Sequence, residues 1–278
     1  MQVEYYPAPP PPGPRVAGLE LDAILASAAD LELPNYARTV DALLGGGANF
    51  AVDRAAAAEL RRIDPLVEAR ARANRAFVRR AVRHAHAEGI DQFLDLGCGI
   101  PSIQSVHGVV HAVNPHARVA YVDLDPVVVA HARELVADLP EVSVTWADLR
   151  SPGCVLDATE IAGRLDPSRP IALLACGVLH FVHDDLAALL AGWRELLAPG
   201  SVVAATHLTA PRTAARSAAV TTVDRMYSRG LAGLALRDPA EVGDALAVVG
   251  PVVDVVDWPH AGAGGRHRMN YLGAVGTV

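Results

Sequence analysis

The sequence predicts an α/β protein built on a doubly wound parallel sheet, and three observations carry the prediction. Residues 92–104, QFLDLGCGIPSIQ, run from an apolar stretch (Phe93, Leu94, Leu96) through Gly97 and Gly99 into a helix-length segment opening after Pro101, which reads as strand, tight turn, helix. Beyond that corner, strands near 118–123, 142–146, 170–176 and 201–207 alternate with helices near 126–138, 155–164 and 184–197, the pattern of a sheet covered on both faces. An acid also stands at the end of each of the first three strands: Asp95, Asp123 and Asp148. In such sheets the ligand crevice lies outside the carboxyl ends of the strands.

The segments ahead of the corner read as helical. Residues 1–14 form a proline-rich tail, polyproline-like or disordered. Leu21, Ile24, Leu25 and Ala28 follow at i, i+3, i+4 and i+7, so an amphipathic arm needs a surface to dock on, in its own subunit or a partner's. With Tyr5 and Tyr6 before it, that arm is expected either to cover the active site or to patch the back of the sheet. Its removal is expected to cost turnover more than cofactor affinity. From Pro34 comes a short helix, then Gly45–Gly47 as hinge or interhelix turn, then an alanine-rich helix beginning near Ala51. A longer helix over 66–88 places Ala73, Phe77, Ala81 and Ala85 on one face, with Gly89 as its stop.

Composition removes several kinds of function. The chain has 278 residues, 51% of them hydrophobic, enough for a large core plus a helical accessory piece. It has no apolar run near the roughly 18–20 residues of a membrane span and no basic-then-apolar leader, which points to a soluble cytoplasmic protein. Cys98, Cys154 and Cys176 are scattered and odd in number, which argues against a disulfide framework or a zinc knuckle. All 24 basic residues are arginine. Without lysine there is no Walker A lysine, no Schiff base and no Ser-x-x-Lys nucleophile. A net charge of −7 argues against nucleic acid as partner. Arg72, Arg75, Arg79 and Arg83 recur at helical spacing all the same. They read as a solvated face, or as one from which a single arginine turns inward to a ligand carboxylate.

The glycine corner could hold a dinucleotide or another nucleotide. Ser102 stands where a dinucleotide fingerprint needs its third glycine, whereas Asp95-Leu96-Gly97-Cys98-Gly99 resembles motif I of the Rossmann-like S-adenosylmethionine (SAM) methyltransferases. That resemblance implies that Asp95, Gly97 and Gly99 lie along the methionine part of the cofactor. Asp123, in DLDP, can accept both ribose hydroxyls, and Asp148, in WADL, resembles the position that takes the adenine amino group. The LLGGGANFAVDRAAA (43–57), ARANRAFVRRAVR (71–83), QFLDLGCGIPS (92–102) and VLHFV (178–182) blocks are similar to an actinobacterial SAM methyltransferase family carrying an LLGGxxNFxxDR block ahead of its Rossmann core. The likeness spans about 34–208. It departs at GGGAN, where the family has a lysine and an aspartate before the asparagine, and after 209, where the family's phenylalanine-glycine segment is missing and AGAGG (261–265) appears.

The resemblance implies a Rossmann-like, class I methyltransferase sheet with an N-terminal helical lid, and SAM as cofactor. It divides the chain into a tail and arm (1–33), a lid (34–90) and a SAM-binding domain (91–278) with a substrate cap near 209–250. Asn49, Leu124 and Leu149 join the implied cofactor contacts, and Arg75 is selected for the methionine carboxylate. Methyl transfer is an in-line displacement dominated by holding the reactants in register, with a base needed only when the acceptor loses a proton. Three histidines stand at strand ends. His180 reads as catalytic or as packing, His183 as a helix starter before Asp184, and His207 as a family-wide orienting position. The pairs His107/His111 and His180/His183 lack an evident third ligand, so no metal is expected. Two function classes remain: a methyltransferase acting on a small molecule of secondary metabolism, with the arm as the expected contact of a homodimer, or a SAM-binding regulator or non-methylating enzyme with the same pocket.

Overall fold

Three helices open the described part of the chain. The computed structural model describes residues 32–101, 104–210, 217–218, 220–221, 224, 233–260 and 269–278. The proline-rich tail, the amphipathic arm, Ser102, residues 261–265 and most of 211–232 lie outside the described residues. Helix α1 (Tyr36–Leu44) starts where the Asn35 side chain accepts from Arg38 N and stops at Gly45, whose φ of 84° is the left-handed cap that glycine tolerates. The three-glycine run therefore begins as an interhelix turn. Helix α2 (Ala51–Ile63) is started by Asp53, whose carboxylate accepts from the Phe50 backbone. Helix α3 (Val67–Ala87) buries Ala73, Phe77, Ala81 and Ala85, the face that its spacing predicts.

The apolar runs that follow make β1 (Gln92–Leu96), β2 (Arg118–Asp123), β3 (Val142–Trp146), β4 (Ala172–Cys176) and β5 (Val202–Leu208). Between them lie α4 (Val106–His111), α5 (Pro126–Leu135), α6 (Pro152–Leu156), α7 (Thr159–Ala162) and α8 (Leu186–Glu195). All five strands are parallel in the order β3-β2-β1-β4-β5. The order reverses between β1 and β4, the switch point at which such sheets bind ligands. Alternate side chains feed two cores: Phe93 and Tyr121 pack with Phe77 and Ala81 of α3 on one face, while Leu94 and Val122 pack with Leu190 and Trp193 of α8 on the other.

Several local expectations need correcting. The helix after the glycine turn begins at Val106 instead of after Pro101, because Ser105 supplies the cap to Gly108 N. The segment expected as one helix over 155–164 is two short ones that flank Asp157 and Ala158. Helix α8 starts at Leu186 on the Asp185 carboxylate, which accepts from Ala188 N at 3.0 Å, and His183 instead meets the Gly233 carbonyl at 2.9 Å.

The C-terminal region adds α9 (Pro239–Ala247), β6 (Val252–Asp254) and β7 (Tyr271–Thr277), which the sequence pattern did not announce. β7 inserts antiparallel between β5 and β6, completing the order β3-β2-β1-β4-β5-β7-β6. Its glycines hide its strand character. A Cβ at Gly276 would stand 1.9 Å from the Val249 carbonyl oxygen, so close backbone approach demands glycine there.

Candidate functional site

The glycine turn sits at the switch point and is shaped by contact from both sides. Gly97 and Gly99 have φ of 65° and 59°, and a Cβ at Gly97 would lie 2.2 Å from a Val178 methyl in the loop after β4. A side chain is excluded there twice over, by conformation and by space. The N–H groups of Gly97 and Cys98 donate to the Val122 carbonyl, which anchors the turn to β2. Gly99 N donates to Asp123 Oδ2 at 2.9 Å.

Asp95 is buried at the end of β1. Burial pushes its pKa up to about 7, with Arg75 pulling it down and Asp123 pushing it further up. Asp123 is half-buried and accepts from Gly99 N and Asp125 N, yet burial still raises its pKa to about 6. Two desolvated carboxylates thus flank the turn with, among the described residues, no full charge partner bonded to either, an arrangement that suits a cationic or hydroxyl-bearing ligand. Asp125 has a structural task as the cap of α5, accepting from Val127 N and Val128 N and from the Asn35 amide.

Asp148 differs. Its carboxylate takes Arg150 Nε at 2.9 Å and Nη2 at 2.6 Å, so its charge is already matched. Arg150 was not foreseen, although its position two residues after an acid could have signalled the pair. Leu124 and Leu149 sit beside these acids, their carbonyls accepting from the indoles of Trp146 and Trp193 at 2.8 and 2.9 Å. Arg75 and Arg79 of the stripe are both half-buried, and Arg75 reaches within 3.5 Å of the Ile100 carbonyl on the glycine turn, while Arg72 pairs with Glu68 at the surface. Asn49 is engaged within its own loop. Its amide donates to Asp41 Oδ2 and to the Gly46 carbonyl, both at 2.8 Å, within the α1–α2 loop.

At the ends of β4 and β5 the two histidines prove different. His207 is spent: its Nδ1 bonds the Leu208 carbonyl at 2.8 Å, its Nε2 faces Arg237 Nη1 at 3.4 Å, and burial holds its pKa at about 4. His180 is fully buried, its pKa well below the ordinary value through burial, and its Nδ1 has no partner. Around it stand residues the sequence did not nominate. Tyr36 of α1 places its hydroxyl 3.4 Å from His180 Nε2, and the Tyr271 ring lies 6.1 Å away. Nearby, Thr206 Oγ1 donates to Asn74 Oδ1 at 2.9 Å and accepts from Gly177 N at 3.0 Å, tying α3 to the loop after β4. Asn74 could have been found, since it lies in the ANR segment that already drew attention to Arg75.

The histidines considered as metal ligands have other partners. His107 Nδ1 lies 2.8 Å from the Tyr121 hydroxyl and His111 Nε2 lies 2.9 Å from the Ala117 carbonyl. Among the described residues no group of three ligand-type side chains could hold a metal ion, and no helix is long and apolar enough to cross a membrane.

A seven-stranded sheet in this order, with a glycine turn and acids at the switch point, defines the class I SAM-dependent methyltransferases. The chain belongs to the S-adenosyl methyltransferase family, whose model matches residues 23–277. It is similar to the crystal structure of a candidate methyltransferase from Thermobifida fusca YX, with 34% identity over 89% of this chain and 96% of that one and a TM-score of 0.76. It is also similar to a DUF574 family protein from Streptomyces avermitilis MA-4680, with 32% identity over 89% and 98% of the two chains and a TM-score of 0.76. Comparison with curated proteins gives no match.

Proposed function

We propose that this SAM-dependent methyltransferase acts on a small-molecule acceptor of secondary metabolism, with the cofactor lying along the strand ends from β1 to β3. One observation carries the reading: the glycine turn, Asp95 and Asp123 converge at the reversal of strand order, with their carboxylates desolvated and free of a bonded cation. Asp95 faces the methionine ammonium and Arg75 its carboxylate. Asp123 takes the ribose hydroxyls, while Leu124, Asp148 and Leu149 border the adenine. Asn49 acts indirectly by fixing the α1–α2 loop, and α1 and α2 serve as the lid over the crevice, with Ala37 standing 3.5 Å from a Cβ built at Gly99.

Bound SAM supplies an electrophilic methyl on a sulfonium. The protein's part is to orient and to exclude water. His180, with one unengaged ring nitrogen, is the group placed to receive a proton if the acceptor must lose one, and His207 orients the loop from its occupied position. Incubating the chain with SAM and a metabolite pool should yield S-adenosylhomocysteine. Asp123→Ala should weaken SAM binding by about 1–3 kcal/mol through loss of hydrogen bonds to a charged group. Unchanged affinity by calorimetry would remove Asp123 from the ribose.

A further inference from the structure

Tyr36 stands in an unusual place for a residue outside the sheet. It opens α1, and its ring packs edge-on against Phe181 with centroids 4.8 Å apart and an interplanar angle of 75°. Its hydroxyl faces His180 Nε2 at 3.4 Å. His180 has no solvent exposure, and its other nitrogen is a buried polar atom with no partner among the described residues, a costly arrangement unless a ligand completes it. The cluster lies just past the carboxyl end of β4, three residues beyond Gly177 and two beyond the Val178 that packs on the glycine turn. His207 and Tyr271 close its far side, with ring centroids 6.0 and 6.1 Å from His180.

We propose that the Tyr36 phenol occupies the acceptor's own seat in the ligand-free protein, and that the acceptor replacing it is an aromatic compound bearing a hydroxyl. The inference rests on reading the crevice as the methyl-transfer site. The seat presents the Phe181 ring in T-shaped contact and a polar partner at His180, the two things a phenol uses. It offers little to an aliphatic ammonium. No carboxylate is among these partners, and the charges that face them are cationic: the Arg237 guanidinium beside His207 and Arg70, which acts on the Tyr36 hydroxyl. Burial holds the Tyr36 hydroxyl protonated, with its pKa pushed up to about 12, so Tyr36 meets His180 as a neutral phenol does. Displacing Tyr36 moves the start of α1, whose contacts with the strand ends are Asn35, bonded to Asp125, and Ala37, beside Gly99.

The test uses the full chain and 2-naphthol, followed by its own fluorescence, with naphthalene as the probe lacking a hydroxyl. Tyr36→Ala should bind 2-naphthol at least tenfold more tightly than the wild type, should prefer it at least tenfold over naphthalene, and should bind SAM within twofold of the wild type. Equal 2-naphthol affinity in wild type and variant, or equal affinity of the variant for the two probes, would overturn the seat. Should Tyr36→Ala fail to fold, amide exchange on the wild type decides: saturating 2-naphthol should speed exchange across residues 36–44 at least threefold, and unchanged exchange overturns the proposal. SAM calorimetry on the wild type is read separately. Loss of SAM binding there would sink the reading of the crevice while leaving the phenol seat to be judged on 2-naphthol alone.

Discussion

Asp95 and Asp123, the acids we propose for the cofactor, lower folding stability by being buried. Both are held above the ordinary carboxylate value of about 4, at about 7 and about 6, chiefly by burial. Between pH 4 and 7 the unfolded chain binds fewer protons at these positions than the native one, so the ligand-free protein should lose stability as pH rises through that window. A bound ammonium favours the ionised carboxylate, so SAM affinity should move the other way, climbing toward pH 7 and levelling above it. Calorimetry at pH 5.5, 6.5 and 7.5, in buffers differing in ionisation enthalpy, should detect proton release at the lower values. A flat affinity would place Asp95 away from the cofactor's charge. These acids were legible because position alone, at a strand end beside a glycine turn, names them. Tyr36 and Asn74 were not, because what matters is their meeting with His180 and Thr206, 144 and 132 positions away.

At the scale of the element, α1 and α2 are joined by a buried ion pair. Arg38 Nε lies 2.7 Å from Asp53 Oδ2, and both side chains are almost wholly enclosed. Asp53 also accepts from the backbone of Asn35 and Phe50, so one carboxylate holds the start of both helices. Arg38→Ala would strand that charge and should cost about 3–5 kcal/mol, measurable as a lower denaturant midpoint. Helix α3 was read closely from its spacing, apolar face included, yet spacing alone could not choose among its arginines. Arg75 reaches within 3.5 Å of the Ile100 carbonyl on the glycine turn, which supports the choice we propose. Arg75→Ala should weaken SAM binding by about 1.5–3 kcal/mol, whereas Arg72→Ala, already paired with Glu68, should change it little. The reverse order of effects in calorimetry would reassign the carboxylate partner. The short α4 was misplaced because Pro101 suits a helix start, but Ser105 offers the better cap.

At the scale of the molecule, the alternating half of the sheet was legible from residues 92 to 207, where strand and helix periods trade places cleanly. The last two strands were not, since β6 has only three residues and β7 carries glycines that its neighbours' backbones require. β7 follows both β5 and β6 in the chain, yet it sits between them in the sheet, paired along its length with β5. While the nascent chain emerges, β5 must therefore wait with an unpaired apolar edge, Val202 to Leu208, until residues 271–277 clear the ribosome. A chain ending at Asn270 should collect in the insoluble fraction on expression, and recovery of a soluble, SAM-binding product would show that the edge tolerates the wait. The interval of translation between β5 and β7 is thus the step at which this fold is most exposed to self-association, and a peptide spanning β7, supplied in trans during synthesis, has a ready-made slot to fill.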